Sequence, residues 1–148
     1  MFSVIVAQID SFNTGIYCHL FYSEYQVNEM AFNYSIRKNG SISAIDLIGE
    51  LKVSDLSDYS HIFEDMISED SNRIIINMQH LSYIDSTAIG LIVNFKREVD
   101  KHEGLILVCC VPQDIMKVFD ITGISRFITI YKTEAEAVEA AEKFTEAE

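Results

Sequence analysis

Positive charge is scarce in this chain. Eleven Lys and Arg stand against 23 Asp and Glu, a formal net charge of -12 over 148 residues. The basic residues are scattered and form no stripe, which excludes the usual electrostatic footprint of a nucleic-acid binder. An anionic membrane surface is disfavoured for the same reason. A basic protein partner, by contrast, would be steered toward such a surface. Tryptophan is absent, there is one proline, and the six glycines build no GxGxxG or Walker loop. No apolar run approaches membrane-spanning length. The N-terminus has no Lys or Arg before Arg37, and Asp10 interrupts the short apolar stretch from Phe2 to Ala7, so it does not read as a secretory signal. The three cysteines, Cys18, Cys109 and Cys110, show no CxxC spacing and read as reduced thiols of a cytoplasmic protein. If Cys109 and Cys110 lie in a strand, they point to opposite faces and do not easily share a metal or an ordinary disulfide.

Almost half the residues (49%) are hydrophobic, enough for a packed core. Regular patterning begins near Met30. Phe32, Tyr34 and Ile36 alternate with polar residues as in a half-buried strand. Lys38-Asn39-Gly40-Ser41 reads as a hairpin turn centred on Asn-Gly, with an antiparallel strand following over Ile42 to Leu51. Ser54 or Asp55 caps a helix carrying Leu56, Tyr59, Ile62, Phe63, Met66 and Ile67 on one side, and Asp58, Glu64 and Asp65 on its solvated side. Arg73 to Met78 is a buried strand, and a long helix runs from the Asp85-Ser86-Thr87 turn to about His102, stopped by Gly104 as its C′ residue. Leu105 to Val111 is a strand, Pro112 opens a helix ended by Thr122-Gly123, and Phe127 to Tyr131 is the last strand. Thr133-x-x-Glu136 is a capping box for a final helix, with Ala137, Val138, Ala140, Ala141 and Phe144 on its apolar side. The expected fold class is α/β: a mixed, mostly parallel sheet opened by an antiparallel hairpin, with about four helices.

Enzyme motifs are missing. His19, His61, His80 and His102 fall at no metal-ligand spacing, and no GxSxG elbow is present. One junction stands out: Tyr83-Ile84-Asp85-Ser86-Thr87-Ala88-Ile89-Gly90, between a buried strand and an apolar helix. The carboxyl ends of strands in a parallel sheet are where sites form. The plain role of Asp85, Ser86 or Thr87 is to cap the helix, worth about 0.5–2 kcal/mol. The same geometry also suits a switch. A hydroxyl at a helix N-terminus tolerates phosphorylation, because free N–H groups and the positive end of the dipole receive the added charge. A phosphate there would oppose any complex built over the turn while leaving the fold intact.

From Phe32 to Phe144 the chain resembles the STAS family, in particular its bacterial anti-sigma factor antagonist branch. Four stretches carry the resemblance: Ile48-Gly49-Glu50-Leu51; Arg73 to Met78 followed by Ile84-Asp85-Ser86-Thr87-Ala88-Ile89-Gly90; Val111-Pro112 with Ile121-Thr122-Gly123-Ile124; and Phe127 to Tyr131 with the Glu/Ala-rich helix. The resemblance implies a regulator and not an enzyme, with no cofactor. Its unphosphorylated form would bind an anti-sigma factor that is also a serine kinase, releasing the sigma factor. Phosphorylation of Ser86, with Thr87 as the alternative, would end the complex, and a PP2C-type phosphatase would reverse it. Gly49, Glu50, Asp85, Ser86, Thr87, Ala88 and Gly90 form the implied partner-binding surface, with Asp85 placing Ser86 for the kinase. Three positions depart from the family pattern: Lys52 where an Asp is frequent, and Thr87 and Ala88 in place of Ser-Gly.

Residues 1–29 have no counterpart in that pattern and are read as an extension outside a domain spanning 30–148. Either Met30 is a native start or the extension packs an extra strand or helix on the domain. Two competing functions remain. One is a STAS module in another assembly, stress-sensing or lipid-transporting, without a serine switch. The other is a small enzyme using Asp85 and Ser86, which lacks an identifiable base partner.

Overall fold

The computed structural model describes residues 32–52 and 72–144. The expected extension over 1–29, and the helix expected between Ser54 and Ile67, lie outside the described residues. Five strands form one sheet in sequential order: β1 (Asn33–Asn39), β2 (Ile42–Leu51), β3 (Arg73–Ile84), β4 (Leu105–Cys109) and β5 (Thr129–Tyr131). β1 and β2 are antiparallel and every other neighbouring pair is parallel, as the hairpin-then-crossover pattern requires. Three α-helices are found among the described residues: α1 (Ser86–Lys101), α2 (Gln113–Thr122) and α3 (Glu134–Lys143).

The strand order decides where these helices go. Successive right-handed crossovers that step the same way along a sheet place their helices on one face. α1 and α2 accordingly share one face, where Ile89, Ile92, Phe95, Ile115 and Phe119 pack on Ile45, Leu47, Ile74, Ile76, Met78 and Val108. α3 covers the other face with Ala137 and Ala141, against Ile42, Ala44, Ile75, Leu107 and Cys109. The alternation along each strand is what divides β-branched residues between the two layers. Truncating a buried aromatic such as Phe95 would cost about 3–5 kcal/mol.

Several boundaries differ from the sequence-based expectation. The hairpin loop is Gly40-Ser41, closed by the Asn39–Ile42 pair, so Asn-Gly sits one position off centre. Gly40 has φ 59°, which matches the glycine-first turn of the II′ type. β3 runs on to Ile84 through two register shifts, because β2 continues beside it to Leu51. Gly104 is not the left-handed residue that ends α1; Glu103 is, at φ 56°. Its N–H reaches the Asp100 carbonyl at 3.1 Å and the Gly104 N–H reaches that of Val99 at 3.0 Å, a Schellman pair. Gly104 is required for another reason: a Cβ there would lie 2.7 Å from both the Asn72 carbonyl and a Val99 methyl. The last strand begins at Thr129, not Phe127, because the chain first makes a 3₁₀ turn over Ile124–Arg126, with the Phe127 N–H on the Ile124 carbonyl at 2.9 Å.

β4 also stops earlier than Val111. Cys110 has φ 58° and leaves the strand. The two adjacent cysteines therefore do not point to opposite faces, since Cys110 packs with the same cluster as Cys109.

On the α3 face a charged network crosses three strands. The Arg37 guanidinium donates to both Asp46 carboxylate oxygens at 2.8 and 2.7 Å and to both Glu134 oxygens at 2.8 and 2.7 Å. Asn77 donates to Glu134 at 2.6 Å, and Ser35 to Asp46 at 3.1 Å. Burial opposes the charge on Arg37 most strongly, but its hydrogen bonds to Glu134 and Asp46 outweigh it and hold the guanidinium firmly protonated. Burial likewise works against the Glu134 carboxylate, yet Arg37 and Asn77 bring its pKa below the usual range. This clamp ties the first turn of α3 to β1, β2 and β3.

Candidate functional site

The site is assembled where β2 and β3 end. The two strands run parallel with Glu50 beside Tyr83 and Leu51 beside Ile84. The chain then turns, and the Asp85 N–H donates to the Leu51 carbonyl at 3.2 Å. That bond places the Gly49-Glu50-Leu51 stretch directly beside Asp85-Ser86-Thr87. Residues some 35 positions apart in sequence thus adjoin, with the half-buried Glu50 the one residue of the first stretch that reaches the surface beside Ser86 and Thr87. Gly49 has φ 88°, a conformation in which side chains are strained, and it adjoins the second of the register shifts that let β2 follow β3.

Of the three candidate caps, Asp85 takes the role. It is extended at φ -92° and ψ 167°, and its carboxylate accepts the Ala88 N–H at 2.8 Å. Its own carbonyl accepts the Ile89 N–H at 3.1 Å. Ser86 and Thr87 are then the first two residues of α1, both exposed. Ala88 and Ile89 are buried against the sheet and anchor the turn. Ala88 at this position is therefore a packing residue on the inner side of α1 and takes no part in the exposed surface. Gly90 is exposed, and a Cβ there would meet nothing within 4 Å, so no packing within the described residues demands a glycine. A bare helix backbone next to Ser86 leaves room for close approach from outside.

Two further residues belong to this surface. Lys52, exposed at the end of β2, pairs with the Glu50 carboxylate, and its ammonium lies 5.7 Å from the centre of the Tyr83 ring. Tyr83 keeps 46% of its surface exposed, unusual for a large aromatic at the end of a buried strand. Such a cation–ring contact contributes roughly 0.5–1 kcal/mol at an exposed site. Sequence reasoning did not single out Tyr83 as a site residue. The signal was its place one residue from the buried Ile84, on the strand's alternate face. Of the expected site residues, Glu50, Asp85, Ser86, Thr87 and Gly90 are brought together at the surface, and Gly49 and Ala88 are buried beneath them.

The STAS domain family pattern matches residues 33–137. The anti-sigma-B factor antagonist of Staphylococcus epidermidis is 29% identical over 76 residues, 51% of this chain and 70% of that protein. In structure, an anti-sigma factor antagonist from Mycobacterium paratuberculosis superposes with TM-score 0.70 at 12% identity, covering 76% of this chain and 96% of the other. The Bacillus cell fate determinant SpoIIAA, solved in its phosphorylated form, superposes with TM-score 0.57 at 25% identity, covering 74% of this chain and 98% of the other. No helix among the described residues is long and apolar enough to cross a membrane. With a five-stranded mixed sheet, helices on both faces and a family match spanning most of its length, the chain belongs to the STAS domain family.

Proposed function

We propose that this protein is an anti-sigma factor antagonist whose binding surface is switched by phosphorylation of Ser86. One observation carries the reading: Asp85 supplies the cap of α1, which leaves the Ser86 hydroxyl exposed at the helix N-terminus. The relatives' identity as antagonists supports it, as does a solved neighbour in a phosphorylated form. The partner is an anti-sigma factor with serine kinase activity, met in the cytoplasm. It docks over Glu50, Ser86, Thr87 and Gly90, with Lys52 and Tyr83 at the border and the buried Gly49 shaping the strand beneath. A phosphate on Ser86 adds about -1.5 to -2 charge to that surface. The α1 dipole accommodates this charge in the free protein. In a complex the same charge is desolvated without a partner and repelled by Asp85, so the complex dissociates. A PP2C-type phosphatase restores the binding form. The protein binds and catalyses nothing itself.

The test is incubation with ATP and the anti-sigma kinases encoded near it, followed by peptide mapping by mass spectrometry. The expected product is a single phosphate on Ser86 that disappears in Ser86→Ala. A phosphate persisting in Ser86→Ala and mapping outside Thr87 would eliminate the Ser86 switch. Absence of any phosphate with every such kinase would favour a STAS module without a serine switch.

A further inference from the structure

We propose that Cys109 and Cys110 are a redox-active dithiol, a modification site that closes to a disulfide between neighbouring residues by exchange with a low-molecular-weight disulfide. Along β4, Ile106 and Val108 enter the α1/α2 layer while Leu107 and Cys109 enter the α3 layer. Continued alternation would send Cys110 in with Val108. Instead Cys110 packs with the α3 layer, on the same side as Cys109. Its left-handed backbone, φ 58°, makes that possible, and its N–H is pinned to the Tyr131 carbonyl at 3.1 Å. A left-handed conformation is unfavourable for a residue with a Cβ and persists only where surroundings enforce it. Its effect here is to bring two thiols together that a strand would hold apart.

The two thiols are not equivalent. Cys109 is fully buried and Cys110 partly exposed. An incoming disulfide meets Cys110 first. The Cys110 thiolate attacks one sulfur of the reagent, breaking its S–S bond and releasing one small thiol, which takes up the proton Cys110 lost. The Cys109 thiolate then attacks the Cys110 sulfur of the mixed disulfide and expels the second small thiol, which takes the proton from Cys109. The protein loses two hydrogens and the reagent is reduced to two thiols. Burial, then the neighbouring Cys110, push the Cys109 thiol up, with Glu134 and Asp46 adding to the effect. Arg37, paired to both of these carboxylates, and Arg73, two residues from Ile75 on β3, are cations on that face among the described residues, and Tyr131 of β5 stands next to Cys109 in register. Ring closure is consequently the slow step. A ring between adjacent residues is strained and easily reduced, which suits a reversible modification rather than a structural bridge.

The experiment uses the full chain carrying Cys18→Ser, so that two thiols remain, with oxidised glutathione as the probe and intact mass as the readout. The expected end product is a monomer lighter by two hydrogens, without free thiols, restored by dithiothreitol. The mixed disulfide should decay about tenfold faster per pH unit between neutral pH and about pH 9, while the Cys109 thiol remains mostly protonated. Cys109→Ser should stop at one glutathione on Cys110, and Cys110→Ser should stay unreacted while folded. A Cys18→Ser chain that ends as a stable glutathione adduct, as a disulfide-linked dimer or with both thiols intact would overturn the proposal. None of these readouts depends on Ser86 or on an anti-sigma partner.

Discussion

Asp85 and Ser86 are neighbours with separate tasks. Asp85 holds α1 in place; Ser86 is exposed on it. Asp85→Ala should therefore cost about 1 kcal/mol of stability, the usual loss for an N-cap, with Asp85→Asn largely preserving it. Ser86→Ala should change stability by no more than about 0.5 kcal/mol, as exposed positions do. Urea unfolding of the variants checks both; a loss at Ser86 equal to that at Asp85 would mean that the serine is a structural cap. The sequence left the cap open among three residues, because Asp, Ser and Thr are all good caps and only the backbone geometry selects one. Lys52 was legible as a departure from the family pattern. Its contact with Tyr83 was not, because it depends on the register between β2 and β3.

Among the elements, the strands and helices with strong periodicity were legible: the two β-branched strands, α1, α2 and the capping box of α3. In that box Thr133 accepts the Glu136 N–H at 3.2 Å and Glu136 accepts the Thr133 N–H at 3.3 Å. Their ends were less so. Gly123 ends α2 as its position suggests, whereas Gly40 and Gly104 each serve one residue away from the role their sequence context suggests. Gly104 is the instance with a measurable consequence. The residue that turns left-handed after α1 is Glu103, at a cost that glycine would avoid. Glu103→Gly should raise stability by roughly 0.5–1 kcal/mol, seen as a higher midpoint in thermal or urea unfolding. Gly104→Ala should lower it, because its Cβ would collide with the Asn72 carbonyl. Reversed signs would show that α1 does not end in this way.

At the scale of the molecule, the α/β layering follows from a hairpin and one-directional crossovers, so it could be read from element order. The clamp joining Arg37, Asp46, Asn77 and Glu134 could not. Arg37 and Glu134 are far apart in sequence, and each looks like an ordinary surface charge until the sheet and α3 bring them together. Removing one partner of this half-buried network should cost about 2–3 kcal/mol, as in Glu134→Gln. The pH dependence follows from the direction of the shift. The Glu134 pKa is lower in the folded protein than in the unfolded chain. Its contribution is therefore complete above the ordinary glutamate pKa and is lost as pH falls through the depressed folded value. The stability gap between the wild type and Glu134→Gln should be full at neutral pH and shrink only in acid. A gap that widened on acidification would contradict the assignment.

Both faces of the sheet are covered by helices among the described residues, and the exposed Ser86 turn lies where β2 and β3 end. The central claim is that adding a charge to Ser86 changes binding and not folding. The direct measurement is the affinity of the cognate anti-sigma kinase for the unphosphorylated chain and for the chain phosphorylated on Ser86, with unfolding curves of both forms alongside. The account predicts at least a tenfold loss of affinity, about 1.4 kcal/mol or more, with superimposable unfolding curves. Equal affinity for the two forms, or a phosphorylated chain that binds weakly because it has unfolded, would contradict it.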